Sequence, residues 1–185
     1  MVSRAAAAPD NEPELRTEAM FDAWASQRAG EIKSFRDFLE SRGIADVYPL
    51  YQLARTASAW KSCGGPAFEL PPRAQWPEVE STLLLASRLL SQDVMRRGEV
   101  VSAYRNPALN ACAGGSARSA HATGFALDIL GIGADAEKLC EFHRKEGAHF
   151  KMGLSRYASG RIHIDTHGYR TWGNSHGASS SFCVR

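Results

Sequence analysis

The chain has 185 residues, 44% of them hydrophobic and 23% charged, with a net charge of +2. That length buries one good core, so a single domain with an N-terminal extension is expected. No apolar run reaches the roughly 18 residues a membrane span needs, and neither the small charge nor any Lys/Arg cluster argues for nucleic acid as a partner.

In chain order, residues 1–13 are Ala-rich and then acidic, and read as disordered. They lack the apolar core of a signal peptide, which leaves a cytoplasmic location and export by another route both open. Residues 14–29, with Leu15, Met20, Phe21 and Trp24, fit a helix. Ile32, Phe35, Phe38 and Leu39 recur at helical spacing in a second helix that Gly43 stops. Residues 1–45 therefore form a helical extension that packs on or beside a main domain of residues 46–185. The stretch from Val47 to Trp60 is ambiguous between strand and helix. Pro66 to Pro77 holds four prolines and reads as a loop. Pro77 then opens a helix at the favoured N1 position. Val79, Leu83, Leu84, Ala86, Leu89, Leu90 and Val94 carry its stripe to about Arg97, where Gly98 ends it.

Glu99 to Tyr104 reads as a strand, Asn106-Pro107 starts a short helical turn, and Ala113 to Ala120 is a small-residue loop. Strands follow at Gly124–Leu130 and Arg161–Thr166, on either side of a helix over 134–146. Strands and helices mix without a βαβ rhythm. The fold class is α+β, a small, mainly antiparallel sheet flanked by helices. None of the four cysteines, Cys63, Cys112, Cys140 and Cys183, forms a CxxC pair. Cys63 and Cys112 lie in Gly-rich loops, which suits a bridge between them; four buried free thiols are the alternative. Cys140 falls in a predicted helix and is expected to be packed.

Two segments carry chemistry: Ser119 to Asp128, and Arg161 to Thr166. They supply His121, Asp128 and His163. Two imidazoles and a carboxylate are a three-ligand set that leaves a fourth tetrahedral position open on zinc, the mark of a catalytic site. His121 and Asp128 are seven apart, so a loop-then-strand geometry is needed, with His121 at the strand mouth. Period-2 alternation puts Gly124, Ala126 and Asp128 on one face, and Arg161, His163 and Asp165 together on a face of the last strand. Arg161 and Asp165 would then flank the His163 ligand.

These segments, with Ser102-Ala103-Tyr104-Arg105 before them and Gly168-Tyr169-Arg170-Thr171-Trp172 after, resemble the zinc D-Ala-D-Ala peptidases of the Hedgehog/DD-peptidase superfamily. The likeness runs from about residue 79 to 173. It implies a zinc peptidase of that fold, acting in the cell envelope, periplasm or outside the cell on peptidoglycan peptides, as a D,D-carboxypeptidase or D,D-endopeptidase. It implies His121, Asp128 and His163 as Zn2+ ligands, Arg105 as the cation facing substrate, and Ser119 as a hydrogen-bond partner of the peptide. Many relatives carry an acid three residues before the last histidine as general base; here Gly160 stands there, and Arg161 replaces a histidine found two before it in some. Asp165, on the His163 face, is the candidate base, or else a structural carboxylate anchoring Arg161 or the Thr166-His167 loop; His167 is a weaker candidate. Tyr104 or Tyr157 could donate to an oxyanion, and Trp172 is the tryptophan best placed to line the cleft. The competing function is a zinc-binding domain of the same fold without turnover, binding wall peptides or a protein partner.

Overall fold

The structure, a computed structural model, describes residues 15–131, 136–173, 175 and 177–184; the segment read as disordered, residues 1–13, lies outside them. Helices α1 (Glu18–Ser26) and α2 (Ala29–Ser41) come first, then a one-turn α3 (Leu50–Leu53) and the long α4 (Trp76–Ser91). Thr17 caps α1 by accepting from the Met20 amide. Strand β1 (Glu99–Ser102), helices α5 (Pro107–Cys112) and α6 (Ala120–Thr123), strand β2 (Ala126–Leu130), helix α7 (Ala136–Lys145) and strands β3 (Gly153–Arg156), β4 (Ile162–Asp165) and β5 (Arg170–Trp172) complete the order.

The five strands form one sheet in the order β1-β2-β4-β3-β5. Every pairing is antiparallel except β3 with β5. One face carries Leu127, Ile129, Leu154, Ile162 and Ile164, which join Val79, Leu83, Ala86 and Leu89 of α4 in a continuous core. Phe21, Ile32, Phe35 and Leu39 belong to the same core. The N-terminal helices thus share the buried interior of the remainder.

The exposed edge of β1 is a pairing hazard that the N-terminal third of the chain covers. Gln52 Oε1 accepts from the Val100 amide (3.0 Å), and Arg55 donates to the Val100 carbonyl (2.8 Å). Arg16, 1% exposed, donates to the carbonyls of Val101 (2.7 Å) and Thr56 (2.9 Å). These side chains satisfy backbone groups that a sixth strand would otherwise meet.

Three expectations need correction. Helix α4 ends at Ser91, not near Arg97, because Asp93 takes a left-handed conformation (φ 53°) that stops the helix. The apolar stripe misled because Val94 folds back onto the helix end, its amide donating to the Leu89 carbonyl. His121 sits just before β2 on the single turn α6, where a loop leading into the strand was expected. Cys140 is bridged to Cys183, while Cys63 pairs with Cys112. Strands β3 and β5 had no recognisable pattern, being only four and three residues long.

Candidate metal centre

The sheet register assembles the site. A β-bulge between Val100 and Ser102 brings Ser102 opposite Asp128, and Asp128 pairs with His163. His163 pairs in turn with Ser155, and Ser155 with Trp172. One row of side chains therefore crosses all five strands, away from the aliphatic core face. The next row is Ala126, Asp165, Gly153 and Arg170. His121 arrives from α6, which is tied to the end of β1 by the Arg105 amide donating to the His121 carbonyl at 2.8 Å.

Three atoms converge. His121 Nε2 lies 3.2 Å from Asp128 Oδ1 and 3.2 Å from His163 Nδ1, and His163 Nδ1 lies 3.0 Å from Asp128 Oδ1. All three residues are buried. Among the described residues they form a group able to hold a metal ion. The outer atom of each ligand is already committed. His121 Nδ1 donates to the Ala103 carbonyl at 2.6 Å. His163 Nε2 donates to Asp165 Oδ2 at 2.7 Å. Asp128 Oδ2 accepts from Arg105 at 2.6 Å.

Those partners decide the tautomers. A carbonyl and a carboxylate can only accept, so the imidazole protons sit on His121 Nδ1 and His163 Nε2. The facing nitrogens then present lone pairs, and Asp128 Oδ1 is an acceptor too. Three acceptors pointed at one point repel each other unless a cation or an added proton lies between them. Zinc bonds of about 2.0–2.1 Å give a tetrahedral edge of about 3.3 Å, close to the observed separations. The donor set fits zinc, with each ligand oriented by an outer partner as metal histidines usually are.

The electrostatics agree. Burial pushes the His121 imidazole down to about 4, helped by the Arg105 charge, so it stays a neutral ligand. Asp128 is held well below the usual carboxylate range: burial pushes it up, but His121, His163 and Arg105 outweigh that. His163 is raised, because its two carboxylate neighbours exceed the effect of burial. Without a metal, a proton on His163 is the local substitute for one.

Asp165 is fully buried and stands behind His163, on the ring edge turned from the converging atoms. Oδ2 accepts from His163 and from Arg170 Nη2 (2.7 Å); Oδ1 accepts from Arg170 Nη1 (2.9 Å) and from the His167 amide (2.7 Å). Burial pushes its pKa up, yet these donors bring it down to about 2. This is the geometry of an orienting carboxylate, and it does not suit the general base that alternation along the strand suggested. The side chain contacts the loop at His167, as the alternative reading had it, but its arginine partner is Arg170 and not Arg161.

Arg105 lies beside the converging atoms, its Nε donating to Ser102 Oγ (2.9 Å) and its Nη2 lying 3.3 Å from His121 Nε2. Its side chain is 14% exposed, against 2–4% for His121, Asp128 and His163. Arg161 does not flank His163. Its guanidinium lies over the Tyr157 ring and donates to Ser159 (3.1 Å) and Ser58 (3.0 Å), stitching the β3–β4 turn to the loop after α3. Ser119 caps α6 through its carbonyl, not its hydroxyl. Tyr104 is buried in the core. Trp172 packs edge-on against the His163 ring, with centroids 5.0 Å apart. Tyr157 stands 6.5 Å from the same ring, and burial followed by the nearby Asp128 charge raises its pKa. Gly153 carried no signal of its own in the sequence, and Arg170 stood there only within the trailing segment that carries the family resemblance, with no role attached.

Residues 93–165 match the family described as Peptidase M15. The matched stretch runs to the end of β4 and contains all three converging residues. The likeness to zinc D-Ala-D-Ala peptidases thus holds where the ligands lie. No curated protein and no solved structure matches the chain.

Proposed function

We propose that this chain, a Peptidase M15 sequence across its ligand-bearing stretch, is a zinc-dependent peptidase that hydrolyses stem peptides of bacterial peptidoglycan. The reaction is that of a D,D-carboxypeptidase or D,D-endopeptidase. The observation that carries the reading is the convergence of His121 Nε2, His163 Nδ1 and Asp128 Oδ1, with every outer ligand atom already committed. Zinc held there supplies Lewis acidity toward a scissile carbonyl and lowers the pKa of water.

The remaining roles belong to the chain. Arg105 neutralises Asp128 Oδ2 and offers positive charge at the mouth, where a peptide carboxylate or carbonyl would bind. Tyr157, its phenol kept protonated by its raised pKa, is the candidate donor to developing negative charge. Trp172 and Ser119 border the approach of substrate. Asp165 orients His163. All four cysteines are paired, which supports work outside the reducing cytoplasm, in the envelope, periplasm or medium.

One observation favours a second reading, a zinc-binding domain without turnover. Asp165 has no uncommitted oxygen, and Gly160 occupies the position where relatives carry an acid. The deciding experiment measures zinc content and incubates the zinc-loaded chain with purified muropeptides, read by mass spectrometry. Loss of a terminal D-Ala establishes a carboxypeptidase, and splitting of cross-linked dimers an endopeptidase. Bound zinc without any cleavage supports the binding domain, and absence of zinc uptake removes both readings.

A further inference from the structure

We propose that Arg170 is a positioning residue for the metal centre: reaching over the side-chain-free gap at Gly153, it clamps Asp165, and Asp165 fixes His163. The inference rests on the reading of His121, Asp128 and His163 as zinc ligands.

The argument starts from the strand order. Strand β3 lies between β4, which carries Asp165, and β5, which carries Arg170. Gly153 is the register partner of both residues. Adjacent strands are about 4.8 Å apart, so Asp165 and Arg170 start roughly 10 Å apart at the backbone. They can meet only above the middle strand, in the space that a side chain on β3 would fill. A Cβ built on Gly153 would run into Asp165 Oδ2, and would lie 2.7 Å from its Cγ and 2.8 Å from Arg170 Nη1. The missing side chain is what allows the pair to form.

The contact across the gap is a bidentate fork, with Nη1 to Oδ1 at 2.9 Å and Nη2 to Oδ2 at 2.7 Å. The guanidinium is itself held. It lies 4.7 Å from the Trp172 ring centroid, and Nη1 also donates to the Gly168 carbonyl at 2.9 Å. The backbone of Arg170 is pinned as well: its amide donates to the Met152 carbonyl, and buried His143 donates through Nε2 to the carbonyls of both Arg170 (3.1 Å) and Met152 (3.2 Å). Thus α7, β3 and β5 converge on one carboxylate, and that carboxylate makes a single contact toward the centre, to His163 Nε2. The fork suits arginine; a lysine ammonium is a point charge that cannot hold both oxygens in plane.

The test uses the full chain, made metal-free and titrated with zinc against a chelator of known affinity. R170M removes the fork, R170K keeps the charge without it, and G153A fills the gap and pushes the pair apart while deleting no polar group. Loss of an outer partner typically weakens metal binding by about 10–100-fold. R170M and G153A are expected to fall in that range, with R170K between them and the parent chain. The Arg170 side chain is 38% exposed, so R170M opens no buried cavity and keeps the test available if G153A does not fold. A merely structural clamp would lower the melting temperature of the metal-free chain and leave zinc affinity unchanged. That result in folded R170M overturns the proposal. Failure of the parent chain to bind zinc, or undiminished binding by H121A, would overturn the metal-centre reading instead.

Discussion

The two halves of the centre fix their histidines by different means. On the β1/α6 side, His121 is held by the main-chain carbonyl of Ala103, two residues from the amide that holds α6 in place. On the β3–β5 side, His163 is held by a chain of side chains, Asp165 then Arg170, that spans three strands and depends on a glycine between them. A carbonyl is present whatever residue supplies it, so the first half tolerates side-chain changes around it. The second half is sequence-specific throughout. For the outer partners of the two histidines, affinity for the metal should therefore be sensitive to side-chain changes on the β3–β5 side only.

The largest effect removes this asymmetry. His121→Ala and His163→Ala each delete a ligand and are expected to abolish stoichiometric zinc binding equally, measured as metal content after gel filtration. One step out, the halves should part. Asp165→Ala, which strips His163 of its partner, should weaken zinc binding by about 10–100-fold. Ala103→Gly keeps the carbonyl and should leave affinity near that of the parent chain in the same chelator competition. Equal losses in the two variants would dissolve the comparison.

How far this contrast could be read in the sequence follows from the same difference. His121, Asp128 and His163 were legible because each sits in a short motif, and alternation placed Asp128 and His163 on strand faces opposite the core, which the β2–β4 register joins. The α+β class, the first two helices and the start of α4 at the prolines were legible from local spacing. Alternation also put Asp165 on the His163 face, but it could not say which edge of the ring the carboxylate meets. That depends on the strand order, which places Arg170 across β3. Nothing local marks Gly153 as a gap, or the Ala103 carbonyl as the acceptor for His121 Nδ1. Arg161 lies just before β4, where alternation does not apply, and its long side chain follows its nearest partners, here Tyr157, Ser159 and Ser58.

A smaller effect concerns the mouth. Ser102 Oγ is the hydrogen-bond partner of Arg105 Nε, and Ser102 is buried. Ser102→Ala removes one hydrogen bond, about 0.5–1.5 kcal/mol, which corresponds to roughly 2–10-fold. If Arg105 meets substrate, that loss should appear in KM for muropeptide cleavage and leave zinc affinity unchanged. A fall in zinc affinity with KM unaltered would show that Arg105 acts through Asp128 and not on substrate.

The last effect separates the halves by pH in the metal-free chain. His121 titrates near 4 in the folded protein, against 6.5 in an unfolded chain, because burial and then Arg105 oppose its charge. As pH falls from 6.5 toward 4 the unfolded chain takes up a proton that the folded one refuses, so stability declines in that window. Asp165 titrates near 2 against 3.8, since its donors outweigh burial. Its contribution is complete above 3.8 and is lost as pH falls through 2. His163, raised in the folded state, works the other way: its contribution is present below 6.5 and fades as pH climbs through its folded value. The melting temperature of metal-free protein should therefore drop in two acid steps, one for each half. His121→Phe should flatten the upper step, and Asp165→Asn should shrink the lower, to which Asp128 also contributes, each leaving the other in place. Loss of both steps in either variant would mean that the carbonyl-held and side-chain-held halves unfold as one unit.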